Sequence, residues 1–454
     1  MELKYVRIAY FFLTFAISAA LEFLPLPADP AATPLASSWP QFRGLGSQGV
    51  SQEVGLPAEW NSHKNIRWKI PIEGRGHSSP IVWGNTVFLT SSVQGPVIPG
   101  AVAVKHKTVQ GEDFLHPDSV GAEYSHALQV IAIGVNTGKL LWTRTAYEGR
   151  VFDNRHRKNT YASPTPITDG THVFAYFGAE GVYCYDFKGE LRWKASLGPI
   201  ETMGMGVGSS PVLFSSLLIL QCDQDNGYDS FLVALDKLTG RQVWKVRRDS
   251  YESWSTPLIV RSSGRTDLVV NSREWIIGYD PQTGTERWRC KGAGNNPVPT
   301  PLVGYGMVFA SAGAGEKLVI GVRLGGTGDL TNTSDLVWKY NKGTAHVASP
   351  ILYGEFLYLM TDTGILTCLH PKSGKVVYHG GRVPKPATFV ASPVAFEGKI
   401  LLTSEDGDTF VVRAGPTHEI LQINSLGEPV FASIAISGGK LFIRGETNLY
   451  CIGR

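Results

Sequence analysis

The sequence predicts an all-β fold: an eight-bladed β-propeller whose ring is closed by an N-terminal strand in the last blade. Three observations lead there. The stretch Ala234-Leu-Asp-Lys-Leu-Thr-Gly-Arg-Gln-Val-Trp244 reads as a strand, a tight turn at Thr239-Gly240 and a second strand, and its wording recurs along the chain. A small hydroxyl residue followed by Pro precedes each copy: Ser79-Pro80, Ser163-Pro164, Ser210-Pro211, Thr256-Pro257, Thr300-Pro301, Ser349-Pro350 and Ser392-Pro393. From Pro164 onward these Pro residues are spaced in the forties, the period of a four-stranded propeller blade.

The copies differ in detail. Gly278 to Trp288 keeps Asp280, Thr283-Gly284 and Trp288. Ala132 to Trp142 has Gly134 at the Asp position. Asp186 to Trp193 is one residue shorter and turns at Lys188-Gly189. Cys368 to Tyr378 keeps Ser373-Gly374 but replaces Asp by His370 and Trp by Tyr378. Trp142, Trp193, Trp244, Trp288 and Trp338 are expected to be buried and structurally equivalent. The pattern A-x-D-x-x-T-G-x-x-x-W resembles the tryptophan-docking motif of the pyrroloquinoline quinone (PQQ) type propeller family. That family includes quinoprotein alcohol dehydrogenases and the barrel-assembly lipoprotein of bacterial outer membranes. Trp39-Pro-Gln-Phe-Arg-Gly44 also resembles the N-terminal signature of its secreted bacterial members. The motif is specific for architecture, because its Trp and Gly serve packing in cofactor-free members too.

Taken in order, Met1 to Ala20 has Lys4 and Arg7 before an apolar run ending in small residues, the form of a secretory signal peptide. Residues 21–38 are rich in Pro and Ala and read as a spacer, and the propeller is expected over 39–454. The expected location is periplasmic or secreted, with no membrane span once the leader is cleaved. The first seven blades are expected to begin near His77, Tyr161, Gly208, Trp254, Pro299, Val347 and Val390. Val430 to Ile452 supplies only three strands, and the segment around Trp68 supplies an outer strand with none before it. Pairing Ile66–Ile70 with Asn448–Ile452 would complete blade eight and remove both open edges. Blade five carries an insertion, Gly325 to Ser334. The largest insertion, Val93 to Ser125, lies in blade one and contains His106, His116, Glu123 and Tyr124.

The formal net charge of +3 and the lack of a basic run interleaved with aromatics point away from nucleic acid. The five cysteines contain no C-x-x-C or C-x-x-C-H, so neither a cysteine zinc site nor attached haem is supported. Cys184, Cys368 and Cys451 fall at equivalent strand positions and read as small buried side chains.

Loops that lead into the inner strands share one face with the loops between second and third strands. Candidate ligand-binding residues on that face are His77, Arg155, His156, Tyr161, Glu252, Trp254, Asn295 and His346, with Asn296 beside them. His77, His156 and His346 would converge only if the fold brings them to the channel mouth; Trp254 reads as an aromatic platform or a packing wedge. Carboxylates recur in the same loops, among them Glu180, Asp223, Asp225, Asp362 and Glu405, where Asp and Glu also serve as turn formers. Asp223-Gln-Asp225-Asn-Gly227 resembles a calcium loop in composition but not in spacing.

Two functions fit. The first is a non-enzymatic binding scaffold outside the cytoplasm, whose partner is another exported or outer-membrane protein or a small ligand at the channel mouth. The second is a quinoprotein oxidoreductase of the alcohol or sugar dehydrogenase type. For that, the resemblance implies axial PQQ, a bound calcium, an aromatic platform and an Asp base. The adjacent-Cys disulfide of many such dehydrogenases is absent, and the reading leans towards the scaffold.

Overall fold

The computed structural model describes residues 37–454 except 109, 263, 293, 296 and 314. The leader reading and most of the spacer therefore lie outside the described residues. Eight sheets of four antiparallel strands, one of them with a short fifth strand added, follow one another along the chain. Their inner strands are Ile81–Trp83, Ile167–Thr168, Val212–Phe214, Leu258–Ser262, Leu302–Gly304, Ile351–Tyr353, Val394–Phe396 and Ala435–Ser437. Leu45–Ser47 and Gly178–Glu180 form short 3₁₀ turns, and no described helix is long and apolar enough to cross a membrane.

Ring closure is as the sequence predicts. Ile66–Pro71 pairs antiparallel with Asn448–Ile452, with Trp68 opposite Cys451. The last blade thus gains its outer strand from a segment nearly a whole chain away.

The repeated motif joins neighbouring blades. Each outer-strand Trp faces a small residue on the third strand: Trp142 faces Ala132, Trp193 faces Cys184, Trp244 faces Ala234, Trp288 faces Gly278 and Trp338 faces Gly321. A Cβ at Gly278 would lie 2.0 Å from the Trp288 ring nitrogen, so nothing larger fits there. The indole then lies on the turn glycine of the next blade. Trp193 covers Gly240 and donates to the Lys237 carbonyl at 2.9 Å; Trp142 and Trp338 do the same on Phe187 and Pro371. Asp236 holds its turn by accepting from the amides of Leu238 and Thr239.

Two expectations need correction. Trp142, Trp193, Trp288 and Trp338 are buried, but Trp244 is only half-buried and its indole N–H has no partner. Trp288 donates instead to Asp267, because the insertion of blade five displaces the regular Thr-Gly turn; Gly328–Asp329 of that insertion adds a fifth, parallel strand beside Trp288. In blade two the hydroxyl-Pro marker is Thr165-Pro166, not Ser163-Pro164. The marker's role explains the shift. Its hydroxyl accepts the amide of the equivalent residue one blade earlier, linking Ser79 to Thr165, Thr165 to Ser210, Ser210 to Thr256, Thr300 to Ser349, Ser349 to Ser392 and Ser392 to Ser433 at 2.9–3.0 Å. Ser163 lies two residues too early to join this ring around the axis.

Residues 39–51 fill the axis. Trp39 exchanges two backbone bonds with Val82 of blade one, and Thr168 of blade two donates to Pro40. Across the ring, the Val303 amide of blade five donates to the Gln48 side chain at 3.2 Å. Arg43 donates to the Pro350 carbonyl at 2.7 Å, and Ala395 of blade seven bonds both Gly49 and Ser51. A segment bonded to inner strands on opposite sides of a ring must run inside it. Gly44 has φ +72 and its Cα lies against the Trp39 ring, where a Cβ would come within 2.6 Å. The segment then leaves along blade seven, where Glu397 accepts the Gly55 and Leu56 amides and Asn424 bonds Ala58 and Trp60. All five cysteines are buried free thiols.

Candidate functional site

The loop face is most built up over blades one to three. In blade one the second and third strands, Thr86–Val97 and Tyr124–Gly134, are much longer than their counterparts, so the insertion proper is 98–123. It folds back on the face through two short pairings. His106–Lys107 pairs with Asp113–Phe114, and Ser119–Val120 pairs with Arg155–His156 of the segment leading into blade two. Its chief tie is His106, whose imidazole is buried. Nε2 lies 2.8 Å from Asp153 and Nδ1 lies 2.9 Å from Asp225. The two carboxylates outweigh burial and push its pKa up to about 10.

The predicted residues fall into one connected group and two outliers. Arg155 is buried, stacks over the Tyr161 ring at 5.6 Å, and donates to the carbonyls of His156 and Arg157. Tyr161 donates to the Asp153 carbonyl at 2.9 Å, and burial raises its pKa beyond reach. His77 stacks on Phe431 with ring centroids 4.7 Å apart. Burial and the charges of Arg444, Arg75 and Arg155 push its pKa down to about 3, so it is neutral. His156 sits 3.4 Å from Asp118. Trp254 donates to the Gly206 carbonyl at 2.6 Å, and Gly206 packs against Arg155. Glu252 is buried near Asp225 and Asp223, and burial raises its pKa to about 7.

Asn295 and His346 stand apart. Asn295 is exposed and accepts from Arg273 at 3.3 Å; the exposed His346 has its amide bonded to Asp362 at 2.7 Å. Asn296 lies outside the described residues. Among the described residues no contact joins His77, His156 and His346. The recurrent carboxylates mostly hold loops: Glu180 accepts the Phe152 amide, and Asp223 pairs with buried Arg248. Lys158 and Glu405 form an ion pair of 2.9 Å between blades two and seven. These blades are not neighbours, so the pair crosses the mouth of the ring.

Sequence reasoning did not single out Asp153 or Arg43. Asp153 lies in an ordinary polar segment and gains its role only where the insertion lands. Arg43 is buried on the axis with Nε and Nη1 unpartnered, and burial pushes its pKa down to about 9.

Fold and site together define an eight-bladed propeller with a filled axis and one elaborated loop face. The family model described as outer membrane protein assembly factor BamB matches residues 127–379, more than half of the chain, and the chain belongs to that family. No curated protein matches it. Among solved structures it is similar to BamB from Moraxella catarrhalis, at 11% identity and TM-score 0.52 over 74% of this chain and 94% of that one. It is also similar to quinohemoprotein alcohol dehydrogenase from Comamonas testosteroni, at 12% identity and TM-score 0.57 over 92% of this chain and 81% of that one. A europium-containing methanol dehydrogenase matches at 11% identity and TM-score 0.51, over 92% of this chain and 98% of that one. At such identities the likeness is one of fold.

Proposed function

We propose that this chain is an exported binding scaffold whose loop face, over blades one to three, docks another exported or outer-membrane protein. The observation that carries this reading is the filled axis. Residues 39–51 cross the axis towards the end away from the loop face, and Lys158–Glu405 crosses the mouth at the loop face. The hollow lined by Trp254, Glu252 and Asp223 encloses about 10 Å³, while small-molecule sites run to hundreds of Å³. Gly208 also packs on the Trp254 indole, where a Cβ would come within 3.1 Å. The hollow beside Trp254, Glu252 and Asp223 is too small for PQQ, which supports a docking face rather than a cofactor site.

The same face offers what a protein partner uses. Val97, Val102, Leu115, Phe152, Tyr228 and Tyr251 are exposed there, with Tyr228 at 67% and Val102 at 71%. Exposed aromatics on a rigid frame are the usual anchors of protein interfaces. Arg273 stacks over Tyr251 at 4.6 Å and holds it in place.

A photoreactive side chain at Tyr228, compared with one at Val376 on the outer strand of blade six, tests the proposal in whole cells. The expected result is one defined protein adduct from 228 and none from 376. Equal labelling from both positions, or stoichiometric uptake of PQQ with calcium by the purified protein, would overturn it.

A further inference from the structure

Three ligand-bearing side chains from three separate segments meet on the loop face. His106 comes from the blade-one insertion, Glu201 from the segment leading into blade three, and Asp225 from the loop after Leu217–Cys222. One donor atom of each lies within 4.8 Å of the other two. The imidazole is buried, whereas Glu201 and Asp225 are only partly so. The cluster is thus closed behind the ring and open to solvent at the carboxylates.

The two ring nitrogens have different surroundings. Nε2 faces Asp153 Oδ1 at 2.8 Å. The other oxygen of Asp153 accepts from the Thr202 amide at 3.1 Å and its hydroxyl at 3.3 Å. Asp153 is therefore held firmly enough to orient the ring. Nδ1 faces Asp225 Oδ2 at 2.9 Å, a hydrogen bond whose proton an ion bound at Nδ1 would displace. Among the described residues the Glu201 carboxylate makes no hydrogen bond or ion pair.

We infer that His106, Glu201 and Asp225 form a site for one divalent transition-metal ion of the zinc class. His106 would bind through Nδ1 while donating its Nε2 proton to Asp153. A carboxylate behind a ligating imidazole fixes tautomer and orientation in this way. One imidazole and two carboxylates, with a fourth position open to water, suit zinc better than calcium, which takes six to eight oxygens. The charge balance agrees. Asp225, Asp153 and Asp229 act on Glu201 with negative charge, against the single imidazole of His106. Its residues come from the blade-one insertion and the loops of blade three, not from the axial segment 39–51. An ion here would clamp the insertion to blade three.

The test uses the full chain, stripped with chelator and dialysed against ZnCl₂ or CaCl₂, with bound metal measured by mass spectrometry. The expected result is one zinc per chain, calcium at least a hundredfold weaker, and slower proteolysis within 98–123 when zinc is present. Glu201→Gln preserves shape and breaks no hydrogen bond, so it should fold normally, as near-ultraviolet circular dichroism can check. It should weaken zinc at least tenfold, and His106→Ala should abolish it. Failure to bind one zinc, zinc binding unchanged in Glu201→Gln, or a preference for calcium would each overturn the inference.

Discussion

The Trp68 indole lies on Gly138 and donates to the Val135 carbonyl at 2.8 Å. Gly138 has φ +67, and a Cβ there would come within 2.8 Å of the ring. This contact joins blade eight to blade one, so the same motif that links consecutive blades also seals the ring. Trp68→Ala should cost about 2–4 kcal/mol, below the range of a fully buried Trp because Trp68 is half-buried. Gly138→Ala should cost about 1–3 kcal/mol from strain and collision. Both act on one contact, so the double variant should cost less than their sum in urea unfolding. Full additivity would show that the two residues act independently.

The outer-strand tryptophans are not equal, and unfolding midpoints should rank them. Trp193 is buried and its N–H is bonded; Trp244 is half-buried and its N–H is not. Trp193→Ala should cost about 3–5 kcal/mol and Trp244→Ala about 1–3 kcal/mol. The reverse order would contradict the packing described above.

The hydroxyl ring around the axis gives a sharper contrast. The Ser392 hydroxyl accepts the buried Ser349 amide at 3.0 Å, whereas the buried Thr300 hydroxyl has no partner among the described residues. Ser392→Ala should cost about 1–3 kcal/mol by orphaning that amide. Thr300→Val keeps the shape and removes an unpaired hydroxyl, so its midpoint should stay level or rise. Equal losses in the two variants would mean that the ring bonds do not contribute.

Glu252 should make stability depend on pH. Its pKa is raised from 4.5 to about 7 in the folded protein, chiefly by burial. Below pH 4.5 the group is protonated in both states and has no effect. As pH rises towards 7 the unfolded chain ionises first, so folding loses stability, by about 3 kcal/mol in the limit. Glu252→Gln should therefore gain on the wild type between pH 4.5 and 8. A difference between the two that stays constant with pH would refute the shift.

The architecture was legible in the sequence because it rests on local, repeated chemistry. A turn glycine, a Trp four residues later and a small residue across the strand can be read one blade at a time. Even the long-range pairing of Ile66–Pro71 with Asn448–Ile452 follows from two incomplete blades at opposite ends of the chain. Exceptions arose where a neighbouring blade decides the outcome. Trp288 turns to Asp267 because an insertion displaces the regular turn of the next blade, and Thr165 rather than Ser163 serves as marker because only its hydroxyl reaches the preceding amide.

The sequence by itself thus determined the repeat, the blade count and which loops share a face. Only the tertiary structure decided how that face and the axis are occupied. The contacts of residues 39–51 with inner strands on opposite sides of the ring carry no periodic signal, so the filled axis could not be read in advance. His106, Asp153, Glu201 and Asp225 come together for the same reason: each lies in a different loop, and only the curvature of the ring and the fold-back of the insertion set the distances between them.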